Sequence, residues 1–326
     1  MNNDTSEVEL AKQNHSSFGK DIIEGLTSTP KFLQSKYFYD KTGDKLFQQI
    51  MKLPEYYLTD CELKILNTHK EQIIGFFKDS VNAFQLVDLG AGDAYKTKIL
   101  LRHFLNTNTT FEYVPVDISE NAIAKLSLDL KAEFPEIQIS GYAEEYLKAL
   151  NLIKNDTPKL ILFLGSSIGN FTQAEAEDFL KAISKQMNKE DLFIIGFDLK
   201  KDPEIILEAY NDDSGITKKF NLNLLTRINR EFDANFKIDE FEHIPTYDTQ
   251  AGEARSALKS KIQQNIEFPR LGFSVTLESG ELIHTEISKK YDLSEIKTLA
   301  RNSGFEVFKN LLDSRGYFTN SVWRKQ

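Results

Sequence analysis

The chain has 326 residues, 40 Lys plus Arg against 49 Asp plus Glu, and 40% hydrophobic residues, which is too apolar for disorder and long enough for two compact lobes. Its net charge of −9 argues against a phosphate-coating surface, because non-specific nucleic-acid binding needs clustered Lys and Arg, and points to small-molecule partners. Cys61 has no cysteine to pair with, MNNDTSEVELAKQ lacks the apolar core of a signal peptide, and no apolar run reaches the ~18–20 residues that span a bilayer, so a cytoplasmic protein without a membrane anchor is expected.

Residues 1–16 are polar, and then Phe18, Ile22, Ile23 and Leu26 recur at the spacing of an amphipathic helix. The stretch 30–66 is dense in aromatics (Phe32, Tyr37, Phe38, Tyr39, Phe47, Tyr56 and Tyr57), for which a core of large rings is the plain explanation. From Phe84, apolar runs at 84–89, 111–116, 136–140, 159–165 and 191–197 alternate with helical patterns. Such alternation predicts a parallel sheet with crossover helices. Thr172 and Glu175 form a capping-box pattern opening the helix that carries Phe179, Leu180 and Ile183.

After Asp198 the alternation stops. Helices are expected through 202–232, then strands at 262–268, 271–277 and 281–287, with Ser279-Gly280 joining the last two as a hairpin. A helix with Ile296, Leu299 and Ala300 on one face ends at Gly304, and FEVFKNLL and YFTNSVW then pair as an antiparallel hairpin at a sheet edge. The predicted fold is α/β: a doubly wound sheet with an antiparallel C-terminal hairpin, plus a second α+β lobe. The lobes are 61–198 with 288–326, and 1–60 with 199–287.

The strand FQLVDL runs into Gly90-Ala91-Gly92-Asp93 and then a helical stretch from Lys96, placing glycines where a backbone must approach a ligand at a strand's C-terminal end. The second strand ends at Asp117, one crossover later, where doubly wound folds hold ribose hydroxyls. The third glycine of the dinucleotide fingerprint is missing, and Asp93 would repel phosphate while tolerating a cation. S-adenosylmethionine, with ribose, adenine and a sulfonium but no phosphate, fits better than a nicotinamide cofactor. The fourth strand ends in GSSIGNF at 165–171, where Asn170 offers both a donor and an acceptor. The Pro-Pro loop of nucleobase methylases is absent there. His15, His69, His103, His243 and His284 show no ligand spacing, so no metal is expected. Flanking acids argue against a reactive Cys61 thiolate.

The segments TPKFLQSKYFYDKTGDKLFQQIMKLPEYYLTDCELKIL (29–66), LVDLGAGDAYKT (86–97), PVDIS (115–119), LGSSIGNF (164–171), AYNDDSGITKKFNLNLL (209–225) and TEISKKY (285–291) together resemble the L-histidine-specific Nα-methyltransferases of ergothioneine biosynthesis. The resemblance implies a class I fold, S-adenosylmethionine as donor, and three methylations of the histidine α-amine to give the betaine hercynine. It implies that Gly90, Gly92, Lys96, Asp117 and Tyr142 bind the donor. It also implies that Asn170 and Tyr210 anchor the substrate carboxylate, that Tyr39 and Tyr56 line the amine and ring side, and that Glu286 and Ser288 hold the imidazole, with Tyr39 and Asn170 as the catalytic pair. The inserted lobe would close with the N-terminal region over the donor. Tyrosine faces also suit the quaternary ammonium that repeated methylation creates.

Two positions depart from the family pattern. Tyr142 stands where an acid usually meets the adenine side, and Ser256 stands where a methionine usually packs on the substrate ring. Ser256 would open the ring pocket, which admits another amino acid or another histidine nitrogen as alternatives. Tyr142 admits a silent binding protein that keeps the fold.

Overall fold

Two stretches of different texture build two compact units: Met1–Tyr57 with Lys201–Ser288, and Leu58–Lys200 with Lys289–Gln326. The computed structural model describes residues 16–78, 83–153 and 156–326; the polar N-terminal stretch up to and including His15 lies outside the described residues. In chain order the elements are α1 (Ser17–Thr27), β1 (Lys31–Phe32), α2 (Lys41–Ile50), α3 (Tyr57–Lys78), β2 (Phe84–Leu89), α4 (Lys98–Asn106), β3 (Phe111–Asp117), α5 (Glu120–Glu133), β4 (Tyr142–Ala143), α6 (Tyr146–Leu152), β5 (Lys159–Phe163), α7 (Gln173–Gln186) and β6 (Leu192–Asp198). They continue with α8 (Pro203–Tyr210), α9 (Ile216–Phe232), β7 (Phe241–Asp248), β8 (Glu253–Ser260), β9 (Gln264–Phe268), β10 (Phe273–Leu277), β11 (Leu282–Lys289), α10 (Leu293–Asn302), β12 (Phe305–Leu312) and β13 (Phe318–Lys325).

The second unit holds a sheet ordered β12-β13-β6-β5-β2-β3-β4. Strands β2, β5 and β6 are buried along their whole length, as near-continuous apolar runs must be when helices cover both faces. The order reverses between β2 and β5, so the crevice for a ligand lies at their carboxyl ends. The capping box at α7 forms, with Thr172 Oγ1 accepting from Glu175 N–H and the Glu175 carboxylate from Thr172 N–H. The closing hairpin is as expected: β13 pairs antiparallel with both β12 and β6. The expected strand at 136–140 is a correction, since that run makes only an isolated bridge, Ile139 to Tyr113, and the third strand is the short β4 pairing with β3 at Val116 and Asp117.

In the first unit α1 buries Phe18, Ile22, Ile23 and Leu26, and its core continues into Phe38, Ile50, Phe220, Leu224, Leu225 and Ile228. The sheet order is β1-β11-β8-β7, with β9 and β10 as a separate ribbon. The expected hairpin across Ser279-Gly280 is also corrected. Gly280 turns the chain at φ +85°, but its N–H goes to Ser260 O (2.7 Å) and Ser260 N–H to Glu281 O (3.0 Å). The strand leaving the turn is therefore registered on β8, while β10 folds back on β9. The β7–β8 hairpin went unread because FEHIPTYD and EARSALKS are too polar and small-residued to register as strands.

Candidate active site

At the ends of β2 and β3 the sequence motif becomes a cradle. Gly90 and Gly92 have φ of +78° and +53°, values that strain any residue with a Cβ, and space is open where a Gly92 Cβ would stand. Gly90 N–H is tied to Val116 O (2.8 Å). Gly92 N–H donates to Asp117 Oδ2 (3.3 Å), and Ser119 N–H donates to Asp117 Oδ1 (3.1 Å). The glycine loop and the acid are thus held as one piece, each carboxylate oxygen retaining lone-pair capacity for a ligand hydroxyl. Tyr142, half-buried on β4, stands next to Val116 in the ladder and leans on the apolar core. Behind the loop the buried Asp88 accepts from Thr97 Oγ1 (2.7 Å) and Tyr113 Oη (2.8 Å). Burial pushes its carboxyl up to about 6 despite those bonds.

Lys96 Nζ donates to the buried Glu62 carboxylate on α3 at 2.6 Å. Asn170 is exposed at the end of the 3-10 turn Ser167–Asn170. That turn starts from Ser166 in the left-handed region (φ 57°), whose hydroxyl accepts from Asp198 N–H (3.1 Å). Cys61 is buried, which pushes its thiol up to about 11 although Arg315 donates to its sulfur. It is no nucleophile in that state.

In the first unit Tyr39 and Tyr56 flank Phe47 edge-on, at centroid distances of 5.5 and 6.3 Å, and Phe220 of α9 packs against Tyr39 and Phe47. Tyr39 is 45% exposed, so one edge of this ring cluster is available to a ligand. Its neighbour Asp40 fixes it: the carboxylate caps α2 through Thr42 and Gly43 N–H and takes bonds from Asn223 and Arg230 of α9. Burial alone would raise this carboxyl, but the Gly43 amide, Arg230 and Asn223 together hold it below its usual range.

Strand β11 carries Glu286 and Ser288 two residues apart, hence on one face. Ser288 Oγ accepts a hydrogen bond from Tyr210 Oη at 2.8 Å, with both residues buried. Two residues expected at opposite ends of a substrate therefore meet each other. Thr285, on the other face, donates to Asn221 Oδ1 (2.8 Å) and Ser256 O (3.1 Å), pinning β11 to α9 and β8. Ser256 itself is 1% exposed and bonded through Oγ to His243 Nε2 at 3.1 Å. It is an engaged side chain rather than an empty corner. Burial draws the His243 ring down to about 4, so it is neutral.

Sequence reasoning passed over Glu62, Asp88, Phe47 and Phe220 as site-shaping residues and read His243 only as a non-ligand. Glu62 was within reach, since an acid in an otherwise apolar helix face at Ile65, Leu66 and Leu58 is unusual. The Phe220 contacts join segments far apart in the chain and leave no local pattern, and the His243 contact depends on the β7–β8 hairpin, whose strands are too polar to read.

A family model described as histidine-specific, S-adenosylmethionine-dependent methyltransferase matches residues 18–325. The chain is 34% identical over 272 residues to histidine N-alpha-methyltransferase of Mycolicibacterium smegmatis, covering 83% of this chain and 84% of that one. It is 31% identical over 311 residues to histidine N-alpha-methyltransferase of Mycobacterium tuberculosis, covering 95% and 96%. At 25% identity it is also similar to an L-tryptophan methyltransferase of Psilocybe serbica, over 91% of this chain and 90% of that one.

Proposed function

Because the chain belongs to the histidine-specific, S-adenosylmethionine-dependent methyltransferase family, we propose that it methylates the α-amine of L-histidine successively, ending at the trimethylated betaine hercynine. The observation that carries this is the family match across residues 18–325. S-adenosylmethionine, when bound, supplies an electrophilic methyl carbon on a sulfonium. The residues present fit it: a glycine cradle without side chains, the Asp117 carboxylate with spare lone pairs, Lys96, and the Tyr142 ring on the base side. The unit with the parallel sheet is the donor-binding domain in this reading, and the other unit recognises the amino acid.

Asn170 and Tyr210 grip the α-carboxylate, while Tyr39 and Tyr56 face the amine. A positioned neutral amine needs no strong acid and no metal, since most of the acceleration comes from alignment. Ring faces accept the growing ammonium without demanding a hydrogen bond from it. Glu286 accepts from an imidazole N–H, and Ser288 turns its O–H to the other ring nitrogen, so the pair reads the neutral ring. An amino acid without a matching N–H leaves that carboxylate poorly satisfied, which is how such a site rejects it. The Tyr210–Ser288 bond holds both hydroxyls in place before substrate arrives, and Tyr210 redirects its O–H when the carboxylate binds.

The test is incubation of purified protein with S-adenosylmethionine and a pool of amino acids, followed by mass analysis. Trimethylated histidine is the expected product. Methylation of a different amino acid would move the reading to its nearest alternative, and release of no S-adenosylhomocysteine would leave a binding protein.

A further inference from the structure

Glu62 is fully buried, yet it is an acid. It lies on α3, far in sequence from the glycine cradle, and three things converge on its carboxylate. Lys96 Nζ donates to Oε2 at 2.6 Å. The Gly165 N–H, two residues past the end of β5, donates to both oxygens at 3.1 and 2.9 Å. Gly196 of β6 is the third: a Cβ there would stand 2.4 Å from Oε1, so only glycine leaves room for the acid. Gly165, at φ +77°, would likewise bring a Cβ within 3.2 Å of Lys96 Nζ. The backbone is thus hollowed around this ion pair at the carboxyl ends of β5 and β6, beside the point where the strand order reverses. The pair is also lopsided, with a Glu62 side chain at 0% and a Lys96 side chain at 17% exposure, so the carboxylate belongs to the more deeply buried partner.

We propose that Glu62 is a positioning residue that cancels the charge of Lys96 and so lets the site accept a sulfonium; this rests on the donor-binding reading above. S-adenosylmethionine carries a carboxylate, an ammonium and a sulfonium, for a net charge of +1, whereas S-adenosylhomocysteine has lost the sulfonium charge and is neutral. A bare Lys96 would act equally on the carboxylate and the ammonium of both molecules, and the one difference is that the donor alone has a sulfonium for it to repel. A buried carboxylate in contact with the lysine removes that penalty while leaving the ammonium N–H groups in place as donors. Charge interactions of this kind persist over several ångströms in a partly desolvated cleft. Glu62 therefore sets the preference for donor over spent product.

The measurement is calorimetric affinity for S-adenosylmethionine and S-adenosylhomocysteine with wild type, Glu62→Gln, Lys96→Met and the double variant, each checked for fold by circular dichroism. In Glu62→Gln the affinity ratio, donor over product, should fall by about fivefold or more. In Lys96→Met, where the carboxylate is left behind, it should rise. The double variant should return the ratio to the wild-type value while binding both ligands more weakly. A structural role for Glu62 would weaken both ligands alike, so an unchanged ratio in a folded Glu62→Gln overturns the inference. If Glu62→Gln does not fold, Lys96→Met carries the test, and a ratio that fails to rise overturns it. Wild type that binds neither molecule would instead remove the donor-binding reading itself.

Discussion

The unit with the parallel sheet and the unit made from 1–57 with 201–288 place their chemistry by opposite means. In the parallel-sheet unit the important groups hang on backbone: strand ends, glycines at positive φ, and an acid that accepts from the backbone amides of Gly92, one crossover away, and of Ser119. In the other unit they are side chains assembled across the chain, such as Tyr210 with Ser288, Tyr39 with Phe220 and Asn221 with Thr285. A backbone cradle suits a ligand shared by many enzymes, and an assembled wall suits the ligand that distinguishes one enzyme from another.

Acidification should separate the two units most strongly. His243, in the assembled unit, has a folded pKa of about 4, below its unfolded value, so the unfolded chain binds more protons between pH 6.5 and 4. Stability there is fully present above pH 6.5 and is lost as pH falls, by on the order of 3 kcal/mol at completion. Asp88, in the other unit, is raised to about 6, so between pH 6 and 3.8 the folded state binds more protons and acidification favours it. Asp212 falls in line with His243 at still lower pH: burial would raise it, but Ser214, Thr217 and Ile216 hold it down to about 2. Hydrogen exchange at pH 6.5 and 4.5, corrected for intrinsic rates, should show protection dropping in 201–288 and holding in β2, β5 and β6. An equal drop in both would break the contrast.

A crossed pair of substitutions tests the division of labour. Asp117→Ala should weaken S-adenosylmethionine by about 2 kcal/mol, the scale of a lost charged hydrogen bond, and leave histidine binding to the donor-saturated enzyme nearly unchanged. Glu286→Gln should do the reverse. Calorimetry in which either change weakens both ligands alike would show that the two units do not act separately.

Much of the donor side was legible in the sequence because its signals are local. Gly90, Gly92 and Asp117 each close a strand whose apolar run announces it, and the capping box at Thr172 needs only four residues. The failures were also physical. The strand at 142–143 is two residues long, with no run to detect, and EIQIS drew the assignment to itself. Gly280 makes a turn as read, but which strand follows it home is decided by Ser260, beyond any local window. The assembled wall was reached only through resemblance, and that could not show that Tyr210 and Ser288 touch.

A smaller effect probes that touch. Tyr210→Phe and Ser288→Ala should each lower stability by roughly 1 kcal/mol, and the double variant should cost less than their sum, since one bond is lost in all three. Additive losses in denaturant titration would mean the bond contributes nothing. Histamine, which lacks the carboxylate assigned to Asn170 and Tyr210, should turn over far more slowly than histidine.

A change of similar size is predicted at Ser256. Ser256→Ala removes the partner of a buried imidazole nitrogen and should cost about 1 kcal/mol of stability. Ser256→Met, which from sequence alone looks like a restored apolar contact to the substrate ring, should cost more, because it overfills a buried site and strips His243 as well. Tighter histidine binding by Ser256→Met without loss of melting temperature would show that the serine faces an open pocket after all.

The strand order also fixes a timetable for synthesis. A ribosome releases β12 before β13, yet β12 reaches the sheet only through β13, which lies between it and β6. In the other unit β1 is made near the start and waits for β11, its parallel neighbour at Ile283 and His284. In the parallel-sheet unit it is β6 that waits for β13, so that unit cannot close its sheet until the other unit's sequence, which ends at Ser288, has been made in full.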